Sequence, residues 1–567
     1  MNSNQQIIVS GSRLSVDQIV EVGLHKRNLF LTCDPQLRRT INDAADFVYR
    51  AVANEEVVYG INTNFGGMAN QVLSLNEVED LQQNLIWGLK CGVGKKLPAA
   101  QVRSAMFIRA NMLAKGVSGA RAELIERYLV FLNAGITPVV RDLGSIGASG
   151  DLVPLAQIAG CLIGLGPSFR VERDGEEMDA LSALSMLNLQ PLKLRAKEGL
   201  ALVNGSSMMS SIGAHCVHDT RHLTRLALHV HAMLIQALNA SSESFDPFIH
   251  QNKPHPGQIA VAAAMRHLLR GSKSLKPNGH RKADGSGSLL QDRYSVRCLP
   301  QYLGPIVDGL HAIEGQIEVE ANSVDDNPLI DLENERLLHG GNFFAEYVAL
   351  GMDQLRTYMA LLAKHLDVQI AFAVAPEFNS GLPASLVGDQ DNRIKFGLKG
   401  LQICANSIVP KLLHLSNGIS VLFPTHAEQF NQNINSQGFN SATLASESVS
   451  LFKQYLAISL VFGIQAMDLR ARATGGGFDG RRYLSPTLLP LYETVRALLG
   501  RPASDERPLV FRNDEQDLSD HVAAIVADLS RPGGEIIGAM AAEFAPGAGP
   551  AFGSPATRAG GRVAVAP

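Results

Sequence analysis

"GSIGASGDLVPLAQIAG", residues Gly144 to Gly160, sets glycines, serines and an alanine directly ahead of an apolar run with helical spacing. Ser149 stands between Ala148 and Gly150, and each possible use of that serine makes different demands on its neighbours. A hydrolase nucleophile needs the elbow G-x-S-x-G fed by a strand, but Asp151 occupies the place of the second glycine and no strand-like run precedes it. A phosphate loop needs a Lys-Ser/Thr pair after its last glycine, and "GDLV" has neither. A helix start is simpler: Ser149 or Asp151 caps the helix, and Pro154 sits in the first turn, where a missing N–H costs little. That accounts for the helix and leaves the glycines unexplained.

The remaining use is backbone chemistry. Gly150 has no side chain, so its nitrogen can approach the carbonyl carbon of Ala148 in a strained turn closed to other residues. A five-membered ring then forms. Loss of water from the ring and from Ser149 leaves an exocyclic methylidene on a conjugated imidazolone, an electrophile. A helix start suits it, because unpaired N–H donors and the positive dipole end favour electron density arriving on the ring.

The segment resembles the signature of the histidine, phenylalanine and tyrosine ammonia-lyases and related aminomutases. That family builds a 4-methylideneimidazole-5-one group from Ala-Ser-Gly, here Ala148, Ser149 and Gly150. The likeness runs from about Ile8 to residue 530 and is nearest to compact bacterial phenylalanine ammonia-lyases. It implies a mainly α fold around a long central helix bundle, a self-made prosthetic group with no external cofactor, and a homotetramer whose subunits share active sites. The substrate it implies is an aromatic amino acid.

Composition agrees with a compact, soluble enzyme: 46% of residues are apolar and 18% charged. The net charge of −4 gives no general signal for nucleic acid or membrane. Six scattered cysteines without a CxxC pair fit a reducing cytoplasm, and the N-terminus lacks the pattern of a secretory leader. The apolar runs around Tyr347 to Ala375 and Tyr455 to Met467 read as buried helices, too short or too interrupted by charge to span a membrane.

Helical periodicity dominates, as in "DPQLRRTINDAADFVYRAV", where Leu37, Ile41, Ala44 and Val48 share one face. Gly205 to Leu238, Gly341 to Ala375 and Asn440 to Ala471 each predict a helix of about thirty residues, and helices that long pack side by side. "SFRVERDGEEM" predicts a minor hairpin turning at Asp174 and Gly175. There is no internal repeat. The expected division is an N-terminal region (1–204) with the base loop and the Ala-Ser-Gly group, a central long-helix bundle (205–480) with substrate loops, and a C-terminal helical region (481–540). The Ala/Gly/Pro-rich tail (541–567) is expected to be disordered.

Eliminating ammonia from an α-amino acid requires removing a weakly acidic β-proton while a poor leaving group departs, so a base and an electrophile are both needed. "YGINTNFGG" resembles the family's Tyr-Gly-x-x-x-x-Phe-Gly loop, which implies that Tyr59 is the base; Asn64 stands where many members carry glycine. "QDRYSVRCLPQYLGP" holds Gln291, Tyr294 and Arg297. A guanidinium has the planar fork that matches a carboxylate, with Arg293 as the more structural neighbour. By resemblance Arg297 binds the substrate carboxylate and Tyr294 assists elimination. The resemblance likewise puts Asn204 near the prosthetic ring, Asn327 on the substrate, and Phe343, Glu428 and Gln432 in the site. Leu85, Gly88, Leu89, Leu152, Leu200 and Lys399 join Arg297 around the substrate.

Taken alone, these residues have plainer readings: an amphipathic packing tyrosine, a solvated arginine, asparagines in caps and turns. His215, His218, His222 and His229 place several imidazoles near one helix face, but there is no HExxH and no completing carboxylate or cysteine, so no metal is expected.

"NLIWGLKCGVG" addresses ring preference. Relatives selective for phenylalanine usually carry Phe-Leu at the positions of Gly88 and Leu89, and those selective for tyrosine or histidine place a histidine in this pair. A glycine inside a helical stretch costs roughly 1 kcal/mol against alanine, so Gly88 needs a reason. One reason is close packing of another helix. The other is space for a bulky or oxygenated aromatic ring, with Leu89 keeping the wall apolar. The expected activity is conversion of an L-arylalanine to a trans-arylacrylate and ammonia. The nearest alternative is an aromatic 2,3-aminomutase; a histidine ammonia-lyase or a catalytically silent helical scaffold stands further off.

Overall fold

The computed structural model describes residues 6–54, 56–276, 291–422 and 426–541. The expected tail, apart from Ala541, and most of the glycine-rich loop "KPNGHRKADGSGS" lie outside these residues.

Apolar spacing in the sequence becomes buried helix faces. Ile41, Ala44 and Val48 are fully buried on α1 (Pro35–Ala53), which starts at Asp34, whose carboxylate accepts from the Gln36 N–H, with proline at the first helical position. Further along the chain run α2 (Leu75–Gly88), α3 (Ala99–Leu113), α4 (Leu152–Ile163), α5 (Glu198–Val203) and α6 (Ser207–Ala237). They are followed by α7 (Tyr294–Arg297), α8 (Leu299–Ala321), α9 (Glu346–Val374), α10 (Lys399–Leu415) and α11 (Gly438–Gly475). The three thirty-residue helices expected from composition are α6, α9 and α11. The minor hairpin also forms: Arg170–Arg173 (β1) pairs antiparallel with Glu176–Asp179 (β2), and Asp174 and Gly175 turn with φ of 52° and 89°. The fold is mainly α.

The chain divides into two compact units. One unit comprises 1–221, 312–360 and 410–452; the other comprises 222–311, 361–409 and 453–567. Every change of unit falls inside one of the helices α6, α8, α9, α10 or α11.

In the first unit, Ala44, Val48 and Val52 of α1 pack with Val58, Ile61, Val78, Ala196 and Ile330 into a buried cluster. Two of these residues, Val58 and Ile61, bracket Tyr59. The core therefore fixes the loop that carries the expected base.

By length and mean hydropathy, α11 is the one described helix able to cross a membrane, because Tyr455 to Met467 belongs to a much longer helix than the sequence run suggests. Most of its apolar window, 78%, is buried inside the protein, as in a core helix. All six cysteines are free thiols.

Candidate active site

The Ala148-Ser149-Gly150 turn is held by glycine geometry. Gly147 and Gly150 both adopt left-handed φ of 68°. A Cβ on Gly150 would lie 2.1 Å from the Gly205 carbonyl oxygen, so no other residue fits this close approach of two backbones. A Cβ on Gly205 would in turn meet the Arg109 guanidinium at 2.3 Å and the Asp325 carboxylate at 2.5 Å. Ser145 Oγ donates to the Gly150 carbonyl at 3.0 Å and accepts from the Gly147 N–H at 3.2 Å, which ties the turn to itself.

Asp151 occupies the cap position of α4 but its side chain does not cap that helix, contrary to the simple helix-start reading. Its carboxylate accepts instead from the backbone N–H groups of Met208 (3.0 Å) and Met209 (2.8 Å), in the first turn of α6. Burial raises its pKa to about 7, against the lowering effect of those donors. The tripeptide is thereby fastened to the start of a second helix.

Asn204 closes the turn from above. Its side-chain amide donates to the Ser149 carbonyl at 3.0 Å, while its Oδ1 is buried with no partner among the described residues. Beneath lie two ion pairs out of solvent: Arg109 with Asp325 at 3.0 Å, and Lys197 with Asp326 at 2.6 Å. Arg109 also donates to the carbonyls of Ala201 (2.6 Å) and Asn204, so the strand of backbone carrying Asn204 hangs from a buried cation. Removing one partner from such a pair costs about 3–5 kcal/mol. The sequence reading missed this floor, although "SVDDNP" carried its two carboxylates.

The Tyr59 loop lies in the same unit. Tyr59 Oη accepts a hydrogen bond from the Gly66 N–H at 3.1 Å, and its ring meets the edge of His339 with centroids 6.1 Å apart. Asn64 fills the departure from the family loop without left-handed backbone, its Oδ1 accepting from the Phe65 N–H at 2.8 Å. Leu200 packs on Gly60, where a Cβ would be 2.9 Å from its methyl.

A turn at 427–432 meets both the Tyr59 loop and the tripeptide. A Cβ on Gly66 would lie 2.3 Å from the Glu428 carboxylate, so Glu428 rests directly on the loop of Tyr59. Gln432, bridged to Ala427, points its amide at Ser149 Oγ at 3.4 Å. Glu428, Gln429 and Phe430 all take left-handed φ (52°, 51° and 66°), a cost of about 1–3 kcal/mol each that clusters at functional sites. Burial raises the Glu428 pKa above the usual carboxylate value. Asn327 accepts from the Gly340 N–H at 2.8 Å, and the half-buried Phe343 follows in the next turn.

Tyr59, Ser149, Asn204, Asn327, Phe343, Glu428 and Gln432 thus belong to the first unit, with Leu85, Gly88, Leu89, Leu152 and Leu200. Leu85 and Leu89 share a face of α2 with Gln82, which accepts from the Leu200 N–H at 3.3 Å. Gly88 is the last residue of α2, and a Cβ there would meet no described residue within 4 Å. Close packing of another helix is therefore not the reason for this glycine in the described chain.

Gln291, Tyr294, Arg297 and Lys399 belong to the second unit. Arg297 donates to Gln291 Oε1 and lies over the Tyr294 ring, 4.8 Å from its centroid. Arg293 lies over Phe372 and Phe378. Lys399 is exposed beside Phe396. Among the described residues no group of three or more His, Cys, Asp or Glu is arranged to hold a metal ion; His215 bonds Ser104 Oγ at 3.0 Å and His229 the Arg225 carbonyl at 2.8 Å.

A helical scaffold presenting this tripeptide, this base loop and this turn has the architecture of the ammonia-lyases and aminomutases. Phenylalanine ammonia-lyase from Rhodosporidium toruloides superposes with a TM-score of 0.82 at 26% identity, over 96% of this chain and 98% of that one. Tyrosine aminomutase from Streptomyces globisporus gives 0.83 at 29% identity, over 95% and 99%. In sequence, residues 14–497 match the family model for aromatic amino acid lyases. A phenylalanine ammonia-lyase from Nostoc punctiforme is 51% identical over 541 residues, 95% of each chain. The chain belongs to the aromatic amino acid lyase family and is a carbon–nitrogen lyase.

Proposed function

We propose that the enzyme eliminates ammonia from an L-arylalanine to give a trans-arylacrylate, using a methylideneimidazolone made from Ala148, Ser149 and Gly150. The residues fit that group. Gly150 has the left-handed backbone and the absent Cβ that ring closure needs, and the buried Asn204 Oδ1 has an unused acceptor beside the Ser149 carbonyl. This pairing of Asn204 with Ser149 carries the reading. Once formed, the group supplies an electron-poor alkene that draws electron density from the substrate amine and makes nitrogen a better leaving group.

The chain's own residues do the rest. Tyr59 takes the β-proton on its phenol oxygen, which the Gly66 N–H holds in place. As the proton leaves the β-carbon, the Cα–N bond breaks and the Cα–Cβ double bond forms. Arg297, bonded to Gln291, grips the substrate carboxylate with its planar fork, and Tyr294 assists elimination. Asn204 and Gln432 orient the ring through the carbonyl and side-chain positions of residue 149, Asn327 helps hold the substrate, and Phe343 and Glu428 complete the site, Glu428 lying against the Tyr59 loop. Leu85, Leu89, Leu152, Leu200 and Lys399 line the remainder.

The open space at Gly88 supports a preference for bulky or oxygenated rings. Assembly as a homotetramer, each site completed by neighbouring subunits, follows from the family likeness. The free thiols suit the reducing cytoplasm.

Incubating the enzyme with a panel of arylalanines and following the conjugated acid by ultraviolet absorbance tests the reading; a mature chain of undiminished mass, with both waters retained, would overturn it. The likeness to tyrosine aminomutase supports a second reading, migration of the amine to the β-carbon. A β-arylalanine as main product would decide for it.

A further inference from the structure

The short helix α7 has two faces three residues apart in sequence. Tyr294 and Arg297 share one, with the guanidinium 4.8 Å from the ring centroid. Arg293 and Val296 share the other, and both are engaged: Val296 is buried, and Arg293 sits 5.6 Å from the Phe372 ring centroid and 4.5 Å from that of Phe378. Within this segment the Arg293 and Tyr294 carbonyls accept from the Arg297 and Cys298 N–H groups, each at 2.9 Å. The Ser295 carbonyl has an external partner: Gln369 Nε2 donates to it at 2.7 Å.

Gln369 is itself fully buried on α9 and is fixed from behind. Its Oε1 lies 2.7 Å from His231 Nδ1, on α6. A carbonyl oxygen can only accept, so the amide must present its nitrogen to Ser295, and its oxygen therefore requires a proton on His231 Nδ1. The chain of donors thus has one direction, His231 to Gln369 to Ser295, and one imidazole tautomer. His231 is fully buried, in edge contact with His365 at a centroid distance of 4.8 Å, while Tyr302 packs on His365 and donates to the Leu361 carbonyl at 3.4 Å. Burial holds both imidazoles below their ordinary pKa. Ser241 N–H to the Asp292 carboxylate, at 2.7 Å, anchors the segment one turn earlier.

We propose that Gln369, set by His231, is the positioning residue that fixes α7 and so the aim of the Arg297 guanidinium at the substrate carboxylate. The inference rests on the assignment of Arg297 above. Neither residue touches the proposed reacting atoms. Their effect is transmitted through the Ser295 backbone carbonyl, the point on α7 held by a side chain from α9.

The test uses the full-length enzyme and L-phenylalanine. Gln369→Glu is isosteric but replaces the donor with a second acceptor facing the Ser295 carbonyl. It is expected to raise KM about tenfold while kcat stays within about twofold, the signature of lost ground-state positioning. His231→Asn keeps a donor near the Nδ1 position and should restore most of the affinity, whereas His231→Leu should behave like Gln369→Glu. In an Arg297→Ala background Gln369→Glu should add nothing further, since the two act through one contact.

If Arg297→Ala raises KM and Gln369→Glu does not, or if the two effects simply add, the positioning role is overturned. If Arg297→Ala itself leaves KM unchanged, the assignment of Arg297 fails instead. Should Gln369→Glu not fold, Gln369→Met removes the donor without adding charge and carries the same expectations.

Discussion

Asn204 donates its side-chain amide to the Ser149 carbonyl at 3.0 Å while its backbone carbonyl receives the buried Arg109. One residue is thus both the hand on the tripeptide and the link to the charged floor. Asn204→Ala keeps the backbone link and removes the hand. Its kcat is expected to fall by about 10²–10³, the usual effect of deleting a placed donor, with a stability loss of only about 1–3 kcal/mol. Steady-state kinetics beside a thermal melt would show whether activity and fold separate in this way.

Gly150→Ala places a methyl group 2.1 Å from the Gly205 oxygen in left-handed backbone. Ring closure should fail. Intact mass should then match the encoded chain with both waters retained, and arylalanine turnover should be lost; a dehydrated, active Gly150→Ala protein would contradict the geometry.

Burial raises the Asp151 pKa in the folded protein to about 7, above its ordinary value of 3.8. The folded state then binds this proton more tightly than the unfolded one, so the associated stability is fully present below about pH 4 and drains away as pH rises to about 7. Asp151→Asn should remove that slope. Comparing the Tm of the two proteins from pH 4 to pH 8, the difference is expected to shift in favour of the variant up to about pH 7 and to level off above it. A constant difference would show that Asp151 ionises normally.

At Gly88, the last residue of α2, a Cβ meets no described residue within 4 Å, so Gly88→Phe starts its side chain in open space. Folding should be unaffected, with Tm within a few degrees. The ratio of kcat/KM for ring-substituted over unsubstituted arylalanines should drop by at least about tenfold, a discrimination worth about 1.4 kcal/mol. An unchanged ratio would remove Gly88 from the pocket.

Much of this site is visible in the sequence because its chemistry is local. Ala148 to Gly150 need to be consecutive, Tyr59 travels with the glycines of its loop, and Glu428 and Gln432 sit on one turn. Helices α6, α9 and α11 are legible for a similar reason, since periodicity is a property of neighbours in the chain. What stayed hidden depends on distant residues. Asp151 reads as the cap of its own helix yet serves α6, and nothing near position 151 says so. Arg109, Asp325, Lys197 and Asp326 become a floor only when three stretches of chain converge. His231 looks like one more imidazole on a long helix until Gln369, 138 positions later, is seen between it and Ser295.

The stacked contacts of Gly150, Gly205, Arg109 and Asp325 leave no slack for even one carbon atom, whereas a Cβ at Gly88 meets no described residue within 4 Å. On the proposed roles, the backbone that would make the electrophile is closed to added atoms while the position assigned to the ring wall is open. Such an enzyme would change its diet by single substitutions at that position and keep its chemistry, which makes Gly88 and its neighbours the place to concentrate a directed-evolution library.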